Sequence, residues 1–288
     1  MKIGLYLHPN IKNLAKVLPL LVDYLLHKNQ VIILPDSTPR ELFKKHAKIN
    51  YLPKSKIGKE IDAMFSVGGD GTFLAASRII AGTNKPVFGI HRGGLGFLAD
   101  VSEDNYRARI DAFIDGDFTI EERIVLSAKV YSPKKVANYF SYNDFVIDKA
   151  PTTSMIKIRT YVDDDFLNTY RADGLIISTP TGSTAYGLSA GGPIISPHLD
   201  VFTICPICPH SLSARSVLIS ANQTIKIDCE KNLEASLVID GQNRIALKSA
   251  NKIEFNKADF RLNIVRFEGD SFFKTLRKKL HWGIDSRG

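Results

Sequence analysis

Residues 63–72 read Ala63-Met-Phe-Ser-Val67-Gly68-Gly69-Asp70-Gly71-Thr72, and this stretch decides the fold of the first part of the chain. The mostly apolar segment Ala63–Val67 has the length of a buried strand, and the residues from Thr72 to Ile80 follow helical spacing. Three glycines at the junction let the backbone approach a ligand closely and adopt positive φ, while amides at a helix N-terminus favour phosphate. The stretch therefore predicts a strand, a phosphate-binding turn and a helix. Asp70 is the one residue of this turn able to remove a proton or recruit a magnesium ion.

The same alternation of strand and helix extends on both sides of this stretch. Lys2–Leu7, Val31–Leu34 and Pro86–Ile90 are further predicted strands, and apolar residues from Leu14 to Leu25 recur at helical spacing. Alternating elements predict crossover units and a parallel, Rossmann-like sheet with ligands at the carboxyl ends of its strands. We therefore predict an α/β domain over residues 1–103.

The pattern changes after residue 103. Short β-branched and aromatic segments follow one another, separated by turn signals such as Asp240-Gly241, which is typical of antiparallel strands. We predict an all-β, β-sandwich-like domain over residues 104–265. Ser271–Trp282 again has the spacing of a helix, and we expect residues 266–288 to return to the first domain.

Composition excludes several classes of protein. The 288 residues are 44% hydrophobic and 24% charged, the balance of a globular domain, and no apolar run reaches the length of a membrane span. The N-terminal residues do not have the pattern of a signal peptide. Three cysteines fit a reducing compartment, and the pair Cys205-x-x-Cys208 lacks the second pair that a zinc site needs. We predict a cytoplasmic protein with no membrane partner.

The net charge of +8 indicates an anionic partner. Basic residues are scattered, and the local run from Lys274 to Lys279 is explained as well by a solvated helix face. No nucleic-acid-binding motif is present, so we expect no nucleic acid partner. A phosphate-rich small molecule would use the same positive potential.

Two more glycine-rich stretches accompany the first. Gly89–Leu98 follows a predicted strand, and Arg171–Ile194 combines glycines, hydroxyls and one tyrosine, which suits a sugar and an adenine. Within the second, Gly187-Leu-Ser189-Ala-Gly191 matches the hydrolase pattern G-x-S-x-G, and a triad with Asp240 and His281 can be drawn. That elbow requires a strand ending at the serine, whereas the predicted strand ends near Ser178, so the hydrolase interpretation is not favoured.

On these motifs the sequence resembles the NAD kinases. Gly68–Thr72 matches their signature loop, and Arg171–Pro193 matches their long substrate-binding stretch. Gly93-x-Leu95-Gly96-Phe97-Leu98, Pro206–Arg215 and Asp240-Gly241-Gln242 also agree. Diacylglycerol, sphingosine and phosphofructo-kinases share the first loop, so the Arg171–Pro193 stretch is the specific part of the resemblance.

The resemblance implies transfer of the terminal phosphoryl group of ATP, or of polyphosphate in some members, to the adenosine 2′-hydroxyl of NAD. It implies that Asp70 is the general base, that Mg²⁺ or another divalent ion is held mainly through the donor phosphates, and that the chain forms a homotetramer or homodimer. The NAD-binding residues it implies are Asp70, Gly71, Asn143, Asp144, Arg171, Asp173, Thr184, Ala185, Tyr186, Gly187, Leu188, Ser189 and Gln242. The donor-phosphate residues it implies are Gly68, Gly69, Gly71 and Thr72. Asp144 is a departure, because the family has Glu after the asparagine.

Two alternatives stay open at this stage. A lipid or sugar kinase would share only the Gly68–Thr72 loop, and a non-catalytic sensor would bind NAD(P) without turnover. The sequence also leaves open the choice between ATP and polyphosphate and between NAD and NADH.

Overall fold

The structure is a computed structural model that describes residues 1–8, 17–46, 48–91, 94–151, 155–229, 234–247 and 252–282. Its helices are α1 (Val17–His27), α2 (Lys54–Glu60), α3 (Asp70–Ile79), α4 (Tyr106–Asp115), α5 (Tyr186–Ser189) and α6 (Phe272–Leu280), with 3₁₀ turns at Arg40–Phe43 and Thr181–Thr184. Its strands are β1 (Lys2–Leu7), β2 (Val31–Pro35), β3 (Ile49–Leu52), β4 (Ala63–Val67), β5 (Pro86–His91), β6 (Val101–Ser102), β7 (Thr119–Ser132), β8 (Lys135–Ser141), β9 (Asp144–Lys149), β10 (Ile156–Val162), β11 (Asp165–Ala172), β12 (Gly174–Ser178), β13 (Val201–Ile207), β14 (Val217–Ser220), β15 (Ile225–Asp228), β16 (Ala235–Ile239), β17 (Asn243–Ala246) and β18 (Lys252–Arg266).

The chain divides into two compact units. The first comprises Met1–Glu122 together with the segment from Leu262 onward, and the second comprises Arg123–Arg261. The first unit extends beyond the boundary at residue 103 drawn from the sequence, because Ile110 and Phe113 of α4 are buried in its core.

The first unit is built on a parallel sheet with strand order β3-β2-β1-β4-β5. The end of β18 continues the sheet in parallel, with Asn263 opposite Pro86 and Ile264 opposite Val87. All five residues of β4 are buried, as expected for a central strand of a parallel sheet. The Rossmann-like α/β fold predicted for this part of the chain is confirmed.

Aromatic rings fill the centre of this unit's core. Phe65 of β4 stacks on Phe88 of β5 with centroids 4.4 Å apart, and Phe113 of α4 meets both rings edge-on. Phe267, directly after β18, lies 5.6 Å from Phe88. Its position confirms that the chain returns to this fold after the all-β region.

The second unit is an antiparallel β-sandwich. One sheet has the order β14-β13-β12-β9-β16-β17, and the other contains β11-β10-β15-β18 with β7 and β8 beside β18. Alternate residues of both sheets meet in one core, exemplified by Ile147 and Ile177 from the first sheet and Ile158 and Phe255 from the second. The predicted all-β fold is confirmed.

The structure adds elements that the sequence pattern did not show. β3 and α2 lie between β2 and β4, and helix α4 follows residue 103, where only strands were expected. The predicted helix from Leu14 to Leu25 begins at Val17 in the described residues, and Leu14 lies outside them. Within the described residues, no helix combines the length and the apolar character needed to cross a bilayer.

Candidate active site

The Gly68–Thr72 loop connects β4 to α3 as the sequence predicts. The Gly68 amide donates to the Ile90 carbonyl at 2.9 Å, which fixes the loop against the end of β5. Gly68 has φ 154°, and a Cβ there would contact the side chain of Thr72. Thr72 is itself only 5% exposed, whereas Gly69 and Gly71 are exposed at the start of α3. The loop thus presents glycine backbone to solvent at a helix N-terminus, the setting that favours an anion.

The Asp70 carboxylate is fixed by three consecutive backbone amides. Its Oδ2 accepts from Phe97 at 2.9 Å, and its Oδ1 accepts from Leu98 at 3.0 Å and Ala99 at 3.2 Å. A Cβ on Gly96 would overlap Asp70 Oδ1, so glycine is required there for the carboxylate to take this position. The predicted Leu95–Leu98 motif therefore holds the side chain of Asp70, while Gly93 of that motif lies outside the described residues.

The same three-residue segment is held from its carbonyl side by Arg266. The guanidinium lies 3.4 Å from the carbonyl oxygens of Phe97 and Leu98, and it donates at 2.6 Å to each of Asp100 and Glu121. Its side chain is 14% exposed. Burial raises the pKa of Asp100, and the negative charge of Asp270 raises it further. The positive charge of Arg266 acts in the opposite direction. Arg266 and Asp70 therefore clamp one peptide segment from opposite sides.

Lys279 of α6 brings a positive charge to Asp70. Its Nζ lies 4.0 Å from Asp70 Oδ2 and 4.6 Å from the centre of the Phe97 ring. Helix α6 is anchored by Leu276, which is 3% exposed, and by Phe272, whose ring is 6.3 Å from that of Phe97. The lysine run that the sequence explained as a solvated face therefore includes a residue beside the predicted catalytic carboxylate.

The second unit contains a cavity of about 370 Å³ that is lined by both polar and apolar residues. Four residues of the predicted NAD-binding set line it: Asn143, Asp144, Ala185 and Tyr186. The other lining residues are Val146, Asp148, Val238, Asp240, Gly241 and Arg244. Chain segments far apart in sequence thus converge, as they do at the small-molecule sites of other proteins.

Asp240 organises one wall of this cavity. Its carboxylate accepts the amides of Asn143 at 2.7 Å, Asp144 at 3.2 Å and Tyr142 at 3.3 Å, and also the hydroxyl of Ser141. Asp240 has φ 46° and Gly241 φ 65°, and the Gln242 amide donates to the Ile239 carbonyl. This is a type I′ turn joining β16 to β17, which the Asp-Gly pair predicts. The turn places its own aspartate under the Asn143-Asp144 pair.

The Asn143 backbone is also held from the other side. Its carbonyl accepts the Thr179 amide at 2.9 Å and the Ser178 hydroxyl at 3.2 Å. A Cβ on Gly182 would overlap this carbonyl oxygen, so the middle of the predicted substrate-binding stretch packs directly on Asn143. With both sides of its backbone fixed, Asn143 lines the cavity from a rigid base.

Charge in the cavity is concentrated on carboxylates. Asp144 is 3% exposed, and burial together with the neighbouring charge of Asp240 raises its pKa to about 7. Burial also raises the pKa of Tyr186, and the carboxylates of Asp148, Asp144 and Asp173 add to this. Arg244 offsets part of the negative charge through a 2.7 Å ion pair with Asp148.

The remaining predicted NAD-binding residues of this unit are not among the residues that line the cavity. Asp173 forms a 2.7 Å ion pair with Lys149, and Arg171 is exposed on β11, where its carbonyl accepts the His210 amide. Thr184 ends the 3₁₀ turn, Gly187, Leu188 and Ser189 form α5, and Gln242 is exposed at the type I′ turn. Ser189 ends a four-residue helix instead of following a strand, so the geometry of a hydrolase elbow is absent here.

Sequence reasoning did not predict the contacts that three residues make at these sites. Asp240 had a visible signal, the Asp-Gly turn, but its contact with the Ser141–Asp144 segment spans about a hundred residues. Arg266 and Lys279 had no local signal, because each acts on residues that are far away in the sequence.

Comparison with known families matches most of the chain. Residues 3–118 match the sequence model described as the ATP-NAD kinase N-terminal domain, and residues 142–267 match the ATP-NAD kinase C-terminal domain. A protein of Flavobacterium psychrophilum named NAD kinase is 35% identical over 293 aligned residues that cover 100% of both chains. Another NAD kinase, from Acetivibrio thermocellus, is 36% identical over 98% of this chain and 97% of its own.

Solved structures show the same fold. The structure of yeast NADH kinase complexed with NADH superposes with a TM-score of 0.88 at 22% identity, covering 100% of this chain and 89% of the other. An NAD kinase from Archaeoglobus fulgidus in complex with ATP gives a TM-score of 0.74 at 24% identity, covering 98% and 99%.

Proposed function

This chain belongs to the NAD kinase family, and we propose that it transfers the terminal phosphoryl group of ATP to the 2′-hydroxyl of the adenosine ribose of NAD, giving NADP. The observation that carries the proposal is the Asp70 carboxylate, held by three amides beside a glycine loop at a helix N-terminus. A rigidly held acid beside a phosphate-binding turn suits phosphoryl transfer to a hydroxyl, a reaction in which positioning does most of the work.

Asp70 is the proposed general base. A sugar hydroxyl is a poor nucleophile near neutral pH, so a carboxylate that accepts its proton lowers the barrier. The hydroxyl oxygen forms a bond to the terminal phosphorus of ATP, the bond from that phosphorus to the bridging oxygen breaks, and ADP leaves. The proton passes to Asp70, and Oδ2 is the better placed oxygen because it accepts one amide, whereas Oδ1 accepts two.

The donor phosphates are proposed to meet Gly68, Gly69, Gly71 and Thr72. Gly69 and Gly71 are exposed at the first turn of α3, where the partial positive charge of the helix end favours phosphate. Because Thr72 is almost completely buried, its contribution is proposed to come from the backbone of that turn.

A divalent ion, proposed to be Mg²⁺, would be held mainly through the donor phosphates. Among the described residues, no three His, Cys, Asp or Glu side chains lie close enough together to hold a metal ion. The donor phosphates would therefore supply most of the ligands, with at most a carboxylate oxygen of Asp70 beside them, and magnesium is commonly bound in this way. When bound, the ion neutralises negative charge on the donor phosphates.

The acceptor is proposed to bind at the cavity of the second unit. Asn143 and Asp144 would hold the adenine end of NAD, and Ala185 and Tyr186, with Thr184, Gly187, Leu188 and Ser189 beside them, would line the adenosine pocket. Asp173, with Arg171 nearby, would face the nicotinamide side, and Gln242 would close the pocket from the type I′ turn.

Two wider features of the family are proposed to hold here. A homotetramer or homodimer is expected from the resemblance alone. The cytoplasm is the proposed compartment, supported by the free state of all three cysteines.

The experiment is NADP formation by the purified protein from NAD, Mg²⁺ and ATP, with polyphosphate and NADH in parallel wells. We expect product with ATP, and the parallel wells define the range of donors and acceptors. Asp70→Asn is expected to bind NAD as the parent does and to lower kcat by about 10²-fold, as loss of a general base does. Product from neither donor, with NAD still bound, would instead indicate a sensor or a kinase for another acceptor.

A further inference from the structure

The ammonium group of Lys279 lies beside Asp70 without being needed to hold it. The carboxylate already accepts three amides at 2.9–3.2 Å, whereas Lys279 Nζ is 4.0 Å from Oδ2, beyond hydrogen-bond distance. The two side chains are 33% and 30% exposed. An ion pair this open to solvent contributes little to stability, so stabilising the fold does not explain the position of the charge.

The fold nevertheless fixes the approach of this lysine. Leu276 buries one face of α6, and the Phe97 ring lies under the ammonium group at 4.6 Å. A cation over an aromatic face is restrained in direction but keeps its three donors for another partner. An ammonium group that is restrained in direction but exposed to solvent is suited to bind an anion.

We propose that Lys279 is a catalytic residue that binds the transferred phosphoryl group, as the terminal phosphate of ATP before transfer and as the 2′-phosphate of NADP after it. This assignment rests on the proposed function. It assigns a positively charged side chain to the binding of the phosphoryl group, which forms a new ester bond in the reaction.

Distances around Asp70 carry this assignment. A hydroxyl that gives its proton to Oδ2 lies about 2.6–3.2 Å from that oxygen. The phosphorus it attacks lies about 3–3.5 Å from the hydroxyl oxygen in a reactive arrangement. The phosphoryl oxygens are therefore within several ångströms of Oδ2. Lys279 Nζ is 4.0 Å from the same atom, and the flexible lysine side chain can cover the distance that remains between Nζ and the phosphoryl oxygens.

The chemistry of the step explains why a cation is useful there. Charge is spread over the three equatorial oxygens of the phosphoryl group as it moves, and a fixed positive charge stabilises them. Lys279 forms and breaks no covalent bond. It donates hydrogen bonds to the same oxygens while the proton of the hydroxyl goes to Asp70 and ADP leaves.

The test compares Lys279→Gln, which removes the charge at similar length, with Lys279→Arg, which keeps it. Lys278→Gln is the matched control, because Lys278 is the neighbouring exposed lysine of the same helix. For each folded variant, the measurements are kcat and KM for NADP formation and the equilibrium Kd for NAD and for NADP, the two ligands differing only in the transferred phosphate.

We expect Lys279→Gln to lower kcat by about ten- to a hundredfold and to weaken NADP binding by about tenfold, with NAD binding unchanged. Lys279→Arg should recover much of both losses, and Lys278→Gln should match the parent. An unchanged ratio of the two Kd values in Lys279→Gln would overturn the assignment, whatever happens to kcat, because a lysine that only supports Asp70 cannot distinguish NADP from NAD. A parent protein that forms no NADP would refute the proposed function itself, and that result is visible before any variant is compared.

Discussion

Gly96→Ala tests the arrangement of Asp70 without touching its carboxyl group. A methyl group at residue 96 would overlap Asp70 Oδ1 and would lie 2.8 Å from the carbonyl oxygen of Ala99. Since the backbone oxygen is held by the amide of Gly96 in the same turn, the carboxylate is the group that must move. Moving Oδ1 breaks its hydrogen bonds to the amides of Leu98 and Ala99.

The size of the effect follows from those two bonds. A hydrogen bond to a charged group contributes about 1.5–3 kcal/mol, so two of them, partly replaced by water, correspond to a loss of about 2–4 kcal/mol in unfolding free energy. A displacement of about 1 Å at a reacting group lowers turnover by about 10²-fold. We therefore expect Gly96→Ala to remain folded at reduced stability, to bind NAD normally and to lose about two orders of magnitude in kcat.

Gly94→Ala is the matched control, because a Cβ there meets nothing within 4 Å. The assay measures kcat for NADP formation, the Kd for NAD and urea unfolding for the parent and both variants. Equal kcat values for Gly96→Ala and Gly94→Ala would refute the conclusion that the carboxylate must occupy its observed position.

Two further predictions concern buried charges. The pKa of Asp144 is raised to about 7, so between about pH 4 and pH 7 the unfolded chain gives up this proton while the folded protein keeps it, and stability falls as pH rises. Between about pH 5 and pH 8, the free energy of unfolding measured in urea should fall by about 3 kcal/mol more for the parent than for Asp144→Asn. Unfolding free energies that change with pH in parallel would contradict the buried environment assigned to Asp144. Arg266→Lys should destabilise by about 2–4 kcal/mol, since one ammonium group cannot reach both carboxylates and both carbonyls, and should speed amide exchange at Phe97 and Leu98. Arg261→Lys, at a half-exposed pair with Asp200, should cost less than about 1 kcal/mol, and similar losses at the two arginines would argue against the clamp.

Sequence reasoning succeeded where the determinants are local. The run Ala63–Val67 and the glycines that follow it define a strand, a turn and a helix within ten residues, and the Asp-Gly pair at 240–241 defines a hairpin turn. Strand β3 was not predicted because it lies at the end of the described sheet and does not alternate regularly between buried and exposed residues. Helix α4 was not predicted because charged residues separate its buried positions and weaken the apolar periodicity.

The sites show the same limit more clearly. The glycine loop and its aspartate are evident in the sequence, but the partners that fix the carboxylate are amides, which carry no sequence signal of their own. Asn143 and Asp144 are predicted to bind NAD through resemblance, whereas the position of the Asp240 carboxylate beneath them follows only from the pairing of β16 with β9. Contacts of this kind depend on topology, which one sequence does not reveal.

The clamp on Phe97–Ala99 has a consequence for the chain during its synthesis. Arg266 follows Leu98 by 168 residues, so at a translation rate of ~5–20 residues per second the segment waits about 10–30 s for the guanidinium. During that interval the first strands and Asp70 are already made, but the peptide that positions the carboxylate is held from one side only. The Asp70 carboxylate is therefore synthesised well before β18 supplies Arg266, and its segment can be held from both sides only after β18 has been made.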